Sequence, residues 1–116
     1  MQKKFMVDIE TTGVKLESDE IIQVAVLEMT QECPGAQWVA GNSICFDQFS
    51  NKQPTSKFAK EHMVEQYRRA NNTQPVHHTQ ARDMIVGFFE ACGCKGAENV
   101  FLCGWNASNF DVPFLV

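Results

Sequence analysis

The sequence predicts an α/β fold in which three antiparallel strands are followed by helices and then by a parallel strand. Three observations lead to this prediction. Apolar and β-branched runs occur three times before residue 50, and turn residues separate them. Two segments with helical spacing of apolar residues come next. The short apolar run Val100–Cys103 then follows a helical segment directly, which indicates a buried strand joined to the sheet by a crossover.

The composition is that of one globular domain without a membrane segment. The chain has 116 residues, of which 44% are hydrophobic and 21% are charged. The net charge of -4 argues against a long groove for duplex nucleic acid, but it is compatible with an enzyme that grips only a strand end. Because we find neither a run long enough to span a membrane nor a secretory leader, we expect an intracellular protein, cytoplasmic or nuclear.

The cysteines are predicted to be free thiols. There are five, an odd number, and no secretory leader accompanies them. Cys92-Gly93-Cys94 lacks the spacing of a zinc knuckle, and no neighbouring histidine completes a ligand set.

The first predicted strand, Phe5 to Asp8, leads into the stretch Asp8-Ile9-Glu10-Thr11-Thr12-Gly13. Strand side chains alternate between faces, so Asp8 and Glu10 are predicted to lie on the same face. Two neighbouring carboxylates repel each other unless a cation lies between them or one of them takes a proton. Oxygen ligands favour Mg²⁺, Mn²⁺ or Ca²⁺. The alternative interpretation is a solvated acidic pair at a strand end.

Two further strands are predicted before residue 50. A polar hairpin connection, Val14 to Asp19, precedes a strand from Ile21 to Met29 that is largely apolar on both faces and is therefore predicted to be covered on both sides. The Pro-Gly loop Thr30–Gly35 then leads to a third strand within Trp38–Phe49, which is interrupted near Gly41 and Asn42.

Two helices are predicted between the third strand and the last one. The segment from Ser56 to Arg69 carries a narrow apolar stripe and follows a loop, Asn51 to Pro54. Thr79 is predicted to cap a second helix from Gln80 to Ala91. The predicted buried face of this second helix consists of Met84, Ile85, Phe88 and Phe89.

A second acidic motif follows the last predicted strand. Asn109 can cap a helix that begins near Phe110, and Pro113 is tolerated in a first helical turn. Asp111 is then predicted beside the carboxyl end of a strand parallel to the first one, where open α/β sheets bind ligands. This placement brings a third carboxylate towards Asp8 and Glu10. The alternative interpretation is that Asp111 only complements the helix dipole.

Together, D-x-E-T-T-G at the first strand and N-x-x-x-F-D-x-P-F-L at Asn106–Leu115 resemble the first two motifs of the DnaQ-like exonucleases, also called the DEDD superfamily. Members of this family remove nucleotides one at a time from the 3′ end of DNA or RNA. The resemblance implies a ribonuclease-H-like fold and two divalent ions, Mg²⁺ or Mn²⁺. It implies that Asp8, Glu10 and Asp111 are catalytic metal ligands. It further implies that Thr11, Thr12 and Phe110 bind the terminal nucleotide, and that the partner is a single-stranded 3′ end.

The family pattern is incomplete in this chain. A third motif, a His or Tyr and later a fourth metal-binding Asp, is expected well downstream of Asp111, whereas the sequence stops at Val116. We therefore interpret residues 1–116 as the N-terminal portion of an exonuclease domain, truncated at its C-terminus, and expect little hydrolysis from these residues alone. The alternatives are a catalytically inactive nuclease fold that serves as a binding module, and the proofreading domain of a polymerase.

Overall fold

The computed structural model describes residues 2–13, 15–48, 75–94 and 100–104. They form one mixed sheet and one helix. The antiparallel pairs are β1 (Gln2–Thr11) with β2 (Ile21–Gln31), and β2 with β3 (Val39–Asp47). Helix α1 (His78–Ala91) precedes β4 (Val100–Cys103), which pairs with β1 in parallel, so the strand order is β3-β2-β1-β4. The predicted α/β architecture of the ribonuclease-H-like type is confirmed.

The strand boundaries differ from the predicted ones where long-range pairing overrides local polarity. β1 begins at Gln2 because its pairing with β2 starts at Gln2 opposite Gln31 and includes both lysines before Phe5. β2 likewise continues two residues past Met29. The predicted helix from Ser56 to Arg69, its preceding loop and the predicted helix near Phe110 lie outside the described residues.

The predicted cap of α1 is wrong by two residues. His77, in extended backbone with φ -68° and ψ 149°, is the N-cap, and its ring accepts a hydrogen bond from the backbone amide of Thr79. The ring nitrogen Nδ1 of His77 lies 3.5 Å from that amide nitrogen and 3.1 Å from the Thr79 hydroxyl. A histidine ring therefore does here what Ser, Thr, Asp or Asn does at most helix starts, so Thr79 lies inside the first turn.

The core lies between α1 and one face of the sheet. Phe5, at 0% exposure, is its centre: the ring centroids of Phe88 and Phe89 lie 6.1 Å and 4.8 Å from that of Phe5, both in edge-to-face geometry. Such pairs stabilise a core beyond the area that they bury. The predicted inner face of α1 is confirmed, because the half-buried side chains of Met84, Ile85, Phe88 and Phe89 all pack against this cluster. The buried members of the cluster are Phe5, Val7, Ile9, Val24, Val26, Phe46, Ala81 and Cys92.

The predicted coverage of β2 on both sides is met on one side only. Ile22, Val24 and Val26 are buried. On the other face the side chains are half-buried, namely Gln23, Ala25 and Leu27, while the half-buried Ile21, at the register shift, packs against the core cluster. Among the described residues, α1 packs on one face of the sheet and no described helix packs on the other, where Met6 and Asp8 are exposed; we call this the accessible face.

A β-bulge accounts for the predicted interruption of the third strand. Leu27 pairs with Ser43 and Met29 pairs with Ala40, so Gly41 and Asn42 together oppose the single residue Glu28. A Cβ atom on Gly41 would lie 2.5 Å from Oε1 of Glu28. A side chain at position 41 would therefore displace the Glu28 carboxylate from its present position.

The Glu28 carboxylate is buried and joins three strands to the end of α1. Its Oε2 lies 3.1 Å from Nζ of Lys3, and its Oε1 accepts hydrogen bonds of 3.2 Å from the backbone and side-chain nitrogens of Asn42. Lys3 also donates to the carbonyl of Cys92. Burial by itself acts to raise the pKa of Glu28, but the bonds from Lys3 and Asn42 outweigh it, so the pKa lies below the ordinary 4.5.

This buried ion pair predicts an acid-dependent loss of stability. Because the pKa of Glu28 is lower in the folded chain than in the unfolded chain, its contribution is present above the ordinary value of 4.5 and is lost as the pH falls towards the folded-state pKa. We expect Glu28→Gln to be less stable than the wild type near neutral pH, and we expect the difference between the two free energies of unfolding to shrink below about pH 4.5. Urea denaturation across this pH range measures the difference. A gap that stays constant or widens on acidification would contradict the prediction.

Candidate metal and nucleic-acid site

Asp8 and Glu10 lie on the accessible face of the sheet, near the C-terminal end of β1. They alternate with Val7 and Ile9, which are buried at 3% and 5% exposure on the face under α1. Asp8 is exposed and Glu10 is half-buried. The strand period therefore places both carboxylates on one face, as the sequence predicts. Among the described residues, the Asp8 side chain makes no hydrogen bond or ion pair, which leaves its oxygens available to a cation.

Cross-strand pairing extends the acidic face towards β3. Glu10 pairs with Gln23, and Gln23 pairs with Asp47, so these three side chains form one row across the sheet. Nε2 of Gln23 donates to Oδ1 of Asp47 over 3.2 Å. The sequence analysis missed Asp47, because its place in this row depends on the β2–β3 register. Two strand spacings, about 10 Å, separate the backbones of Asp47 and Glu10. A single ion is therefore too small to contact both carboxylates, and Gln23 lies between them.

A concavity of about 540 Å³ opens beside Asp8. Its walls come from β1, β2, β3 and the residue that follows β4. The lining residues are Met6, Val7, Asp8, Ala25, Val26, Leu27, Ser43, Ile44, Cys45 and Gly104. Met6 pairs with Cys103 at the end of β4, so the chain leaves Gly104 at the level of Val7 and Asp8. Parallel pairing thus places Gly104, the last described residue before the second motif, beside Asp8 at the same concavity.

Two of the three predicted nucleotide-binding residues, Thr11 and Thr12, lie in the described part of the chain. Thr11 and Thr12 are buried, at 3% and 0% exposure. The hydroxyl of Thr11 donates to the carbonyl of Gly13 over 2.5 Å, and the backbone amide of Thr12 donates to the carbonyl of Glu20 over 2.9 Å. Both threonines therefore shape the turn after Glu10, and their contact with a nucleotide stays a prediction. Phe110 and the predicted ligand Asp111 lie outside the described residues.

The donor set that is described suits a hard divalent ion in part. Asp8 and Glu10 offer oxygen atoms only, which Mg²⁺ and Mn²⁺ prefer. Within the described ranges, no three side chains of His, Cys, Asp or Glu lie close enough together to hold an ion. Asp8 and Glu10 alone are therefore too few ligands for such an ion, and a site here would need at least one more oxygen donor.

Two of the cysteines, Cys92 and Cys94, are poor candidates for metal ligands. All five are free thiols, of which Cys33 and Cys45 are exposed and Cys92 is buried. Burial raises the pKa of the Cys92 and Cys94 thiols. Because the thiolate is the form that binds metal, these two protonated thiols are poor ligands near neutral pH.

A helix that crosses a membrane must be both long and apolar. In the part of the chain that the structure describes, no helix is both long and apolar enough for that purpose.

Solved structures with this arrangement include members of one class of protein, the DnaQ-like 3′–5′ exonucleases. The particular protein that they represent is exonuclease I of E. coli. Its complex with a dT13 oligonucleotide superposes with a TM-score of 0.71 at 17% identity and covers 99% of this chain. The complex with a 5cy-dA13 oligonucleotide has a TM-score of 0.73 and the zinc-bound complex with single-stranded DNA has one of 0.72, each at 14% identity and again over 99% of this chain.

The likeness lies in the fold and not in detectable sequence similarity. No family model matches the chain, and no curated protein matches it by sequence. The chain covers 23% of the length of each of the three exonuclease I structures. The predicted resemblance to the DnaQ-like exonucleases is confirmed for the fold.

Proposed function

We propose that this chain is the N-terminal, metal-binding portion of a 3′–5′ exonuclease that hydrolyses phosphodiester bonds at the 3′ end of single-stranded DNA or RNA. One observation carries the proposal. Asp8 and Glu10 share the accessible face of β1, and β4, parallel to β1, ends beside Asp8, where Asp8 and Gly104 line the same concavity. The carboxyl ends of parallel strands are where such sheets bind ligands.

The proposed site residues act through their oxygen atoms. Asp8 and Glu10 would hold divalent ions, Mg²⁺ or Mn²⁺, and Asp111 would join them from the segment after Gly104. When bound, a pair of such ions supplies an activated water and neutralises charge on the leaving oxygen. Glu10 would also contact the terminal 3′-hydroxyl, while Phe110 would stack on the terminal base. No side-chain nucleophile is needed for this chemistry.

The fold supports a single-stranded partner. The matched structures of exonuclease I hold a dT13 and a 5cy-dA13 oligonucleotide, and the fold that they share with this chain covers nearly all of it. The net charge of -4 favours recognition of a strand end through bound cations over recognition of a long stretch of backbone phosphates.

A catalytically inactive binding module is the second candidate. The two functions differ in the role of Asp8. A binding module keeps its partner when Asp8 is replaced by Ala, whereas an exonuclease loses its metal-dependent grip on the strand end.

The test of the proposed exonuclease compares a linear single strand with a circular single strand of the same length and composition, since the circle has no end. We expect fluorescence anisotropy to show Mn²⁺-dependent binding of the linear strand, competition by unlabelled linear strand, and weak competition by the circle. A chelator should abolish the preference. Equal competition by both strands would refute end recognition. In parallel, a 5′-labelled strand should show little or no shortening by residues 1–116 alone, and rapid one-nucleotide shortening would overturn our view that a further acid is required.

A further inference from the structure

The turn between β1 and β2 is closed by a hydrogen-bonded cluster, which we call the Thr12 cluster and define as the buried side chains of Thr12 and Asp19 with the backbone of Glu20. The hydroxyl of Thr12 donates to Oδ1 of Asp19 over 3.1 Å and accepts from the backbone amide of Glu20 over 3.1 Å. The backbone amide of Thr12 donates to the carbonyl of Glu20 over 2.9 Å. Three hydrogen bonds thus join one residue of the turn to the segment that enters β2.

The Asp19 carboxylate is the least expected member of this cluster. It is only 7% exposed, although the segment that contains it is polar and predicted to be a simple hairpin connection. Its Oδ2 accepts from the backbone amide of Lys15 over 2.8 Å, so one carboxylate holds both sides of the turn. Since burying a carboxylate is costly, its place here requires these hydrogen bonds.

The Thr12 cluster lies next to an irregularity in the pairing of β1 with β2. Glu10 pairs with Gln23, but the next residue, Thr11, pairs with Ile21, so the register shifts immediately after Glu10. Bulges of this kind re-aim neighbouring side chains. Beyond Glu10, the direction of the backbone is therefore set by the bonds of Thr12 and Asp19 and not by a continuous ladder.

We propose that Asp19, acting through Thr12, is a positioning residue that fixes the Glu10 carboxylate relative to Asp8. This inference rests on the proposed function, in which Asp8 and Glu10 hold a divalent ion. Neither Thr12 nor Asp19 needs to touch the ion or the substrate. Metal ligands must be held within about 0.5 Å of their productive positions, and supporting groups that hold them typically change metal affinity by about 10- to 100-fold.

The test measures Mn²⁺ affinity of the 116-residue chain by the paramagnetic broadening of backbone amide signals from residues 8–12. Thr12→Val removes the hydroxyl at nearly constant shape, and Thr12→Ser retains it. We expect Thr12→Val to weaken Mn²⁺ binding by about tenfold, and Thr12→Ser to stay close to the wild type. Thr30→Val, at the far end of β2 opposite Lys3, is the matched control and should leave the affinity unchanged.

The outcomes separate positioning from a purely structural role. Urea denaturation of each variant reports folding independently of metal binding. Thr12→Val that is less stable but binds Mn²⁺ as the wild type does would overturn the positioning role and leave the proposed function standing. Should Thr12→Val fail to fold, Asp19→Asn, which keeps the shape of the side chain but places an amide opposite the Lys15 amide, must weaken Mn²⁺ binding in the same direction. Absence of broadening at residues 8–12 in the wild type would refute the ion site itself, and the positioning role with it.

Discussion

Asp8→Asn is expected to abolish the Mn²⁺-dependent binding of a linear single strand. The substitution keeps the shape of the side chain but removes the negative charge that a divalent ion requires. Because supporting groups alone change metal affinity by about 10- to 100-fold, loss of a direct ligand should cost more than about 100-fold. Fluorescence anisotropy with Mn²⁺ and a labelled linear strand measures the change.

Stability and a matched substitution separate this effect from unfolding. Asp8 and Glu10 repel each other without a cation, so Asp8→Asn should leave the free energy of unfolding unchanged or raise it. Asp83→Asn makes the same change of charge at an exposed position on α1, away from the acidic face, and should bind the strand as the wild type does. If both variants weaken binding equally, the effect is one of overall charge and Asp8 has no special role.

Phe5→Ala is expected to lower the free energy of unfolding by about 3–5 kcal/mol. Phe5 is at 0% exposure, and its ring meets Phe88 and Phe89, so it is the main contact between β1 and α1. Removing the ring leaves a cavity that the rigid sheet cannot close. Such a loss is a large share of the 5–15 kcal/mol that typically stabilises a domain, so we expect α1 to undock under mild denaturing conditions.

Met6→Ala is the matched control for this prediction. Met6 is the next residue of β1, lies on the opposite face and is 38% exposed. Its truncation should cost less than that of Phe5, about 2 kcal/mol or less, because more than a third of its surface stays in water in the folded chain. Urea denaturation followed by far-ultraviolet circular dichroism measures both variants. Similar losses for the two substitutions would show that the core does not lie between β1 and α1.

Local patterns in the sequence determined most of the fold and part of the site. The period of 2 in β1 placed Asp8 and Glu10 together, and the apolar run Val100–Cys103 after a helix predicted the parallel strand beside it. The helical spacing of Met84, Ile85, Phe88 and Phe89 predicted the buried face of α1. These features follow from the sequence alone because each depends on residues within one element.

Tertiary structure alone decided the features that depend on residues far apart in the chain. The acidity of Glu28 depends on Lys3 and Asn42, and the row from Glu10 to Asp47 depends on the register of two strand pairs. The burial of Asp19 against Thr12 turns an ordinary polar hairpin into the support of the proposed metal site. The sequence does not reveal whether a carboxylate is solvated or bonded to a buried hydroxyl, because that partner is brought near it only by folding.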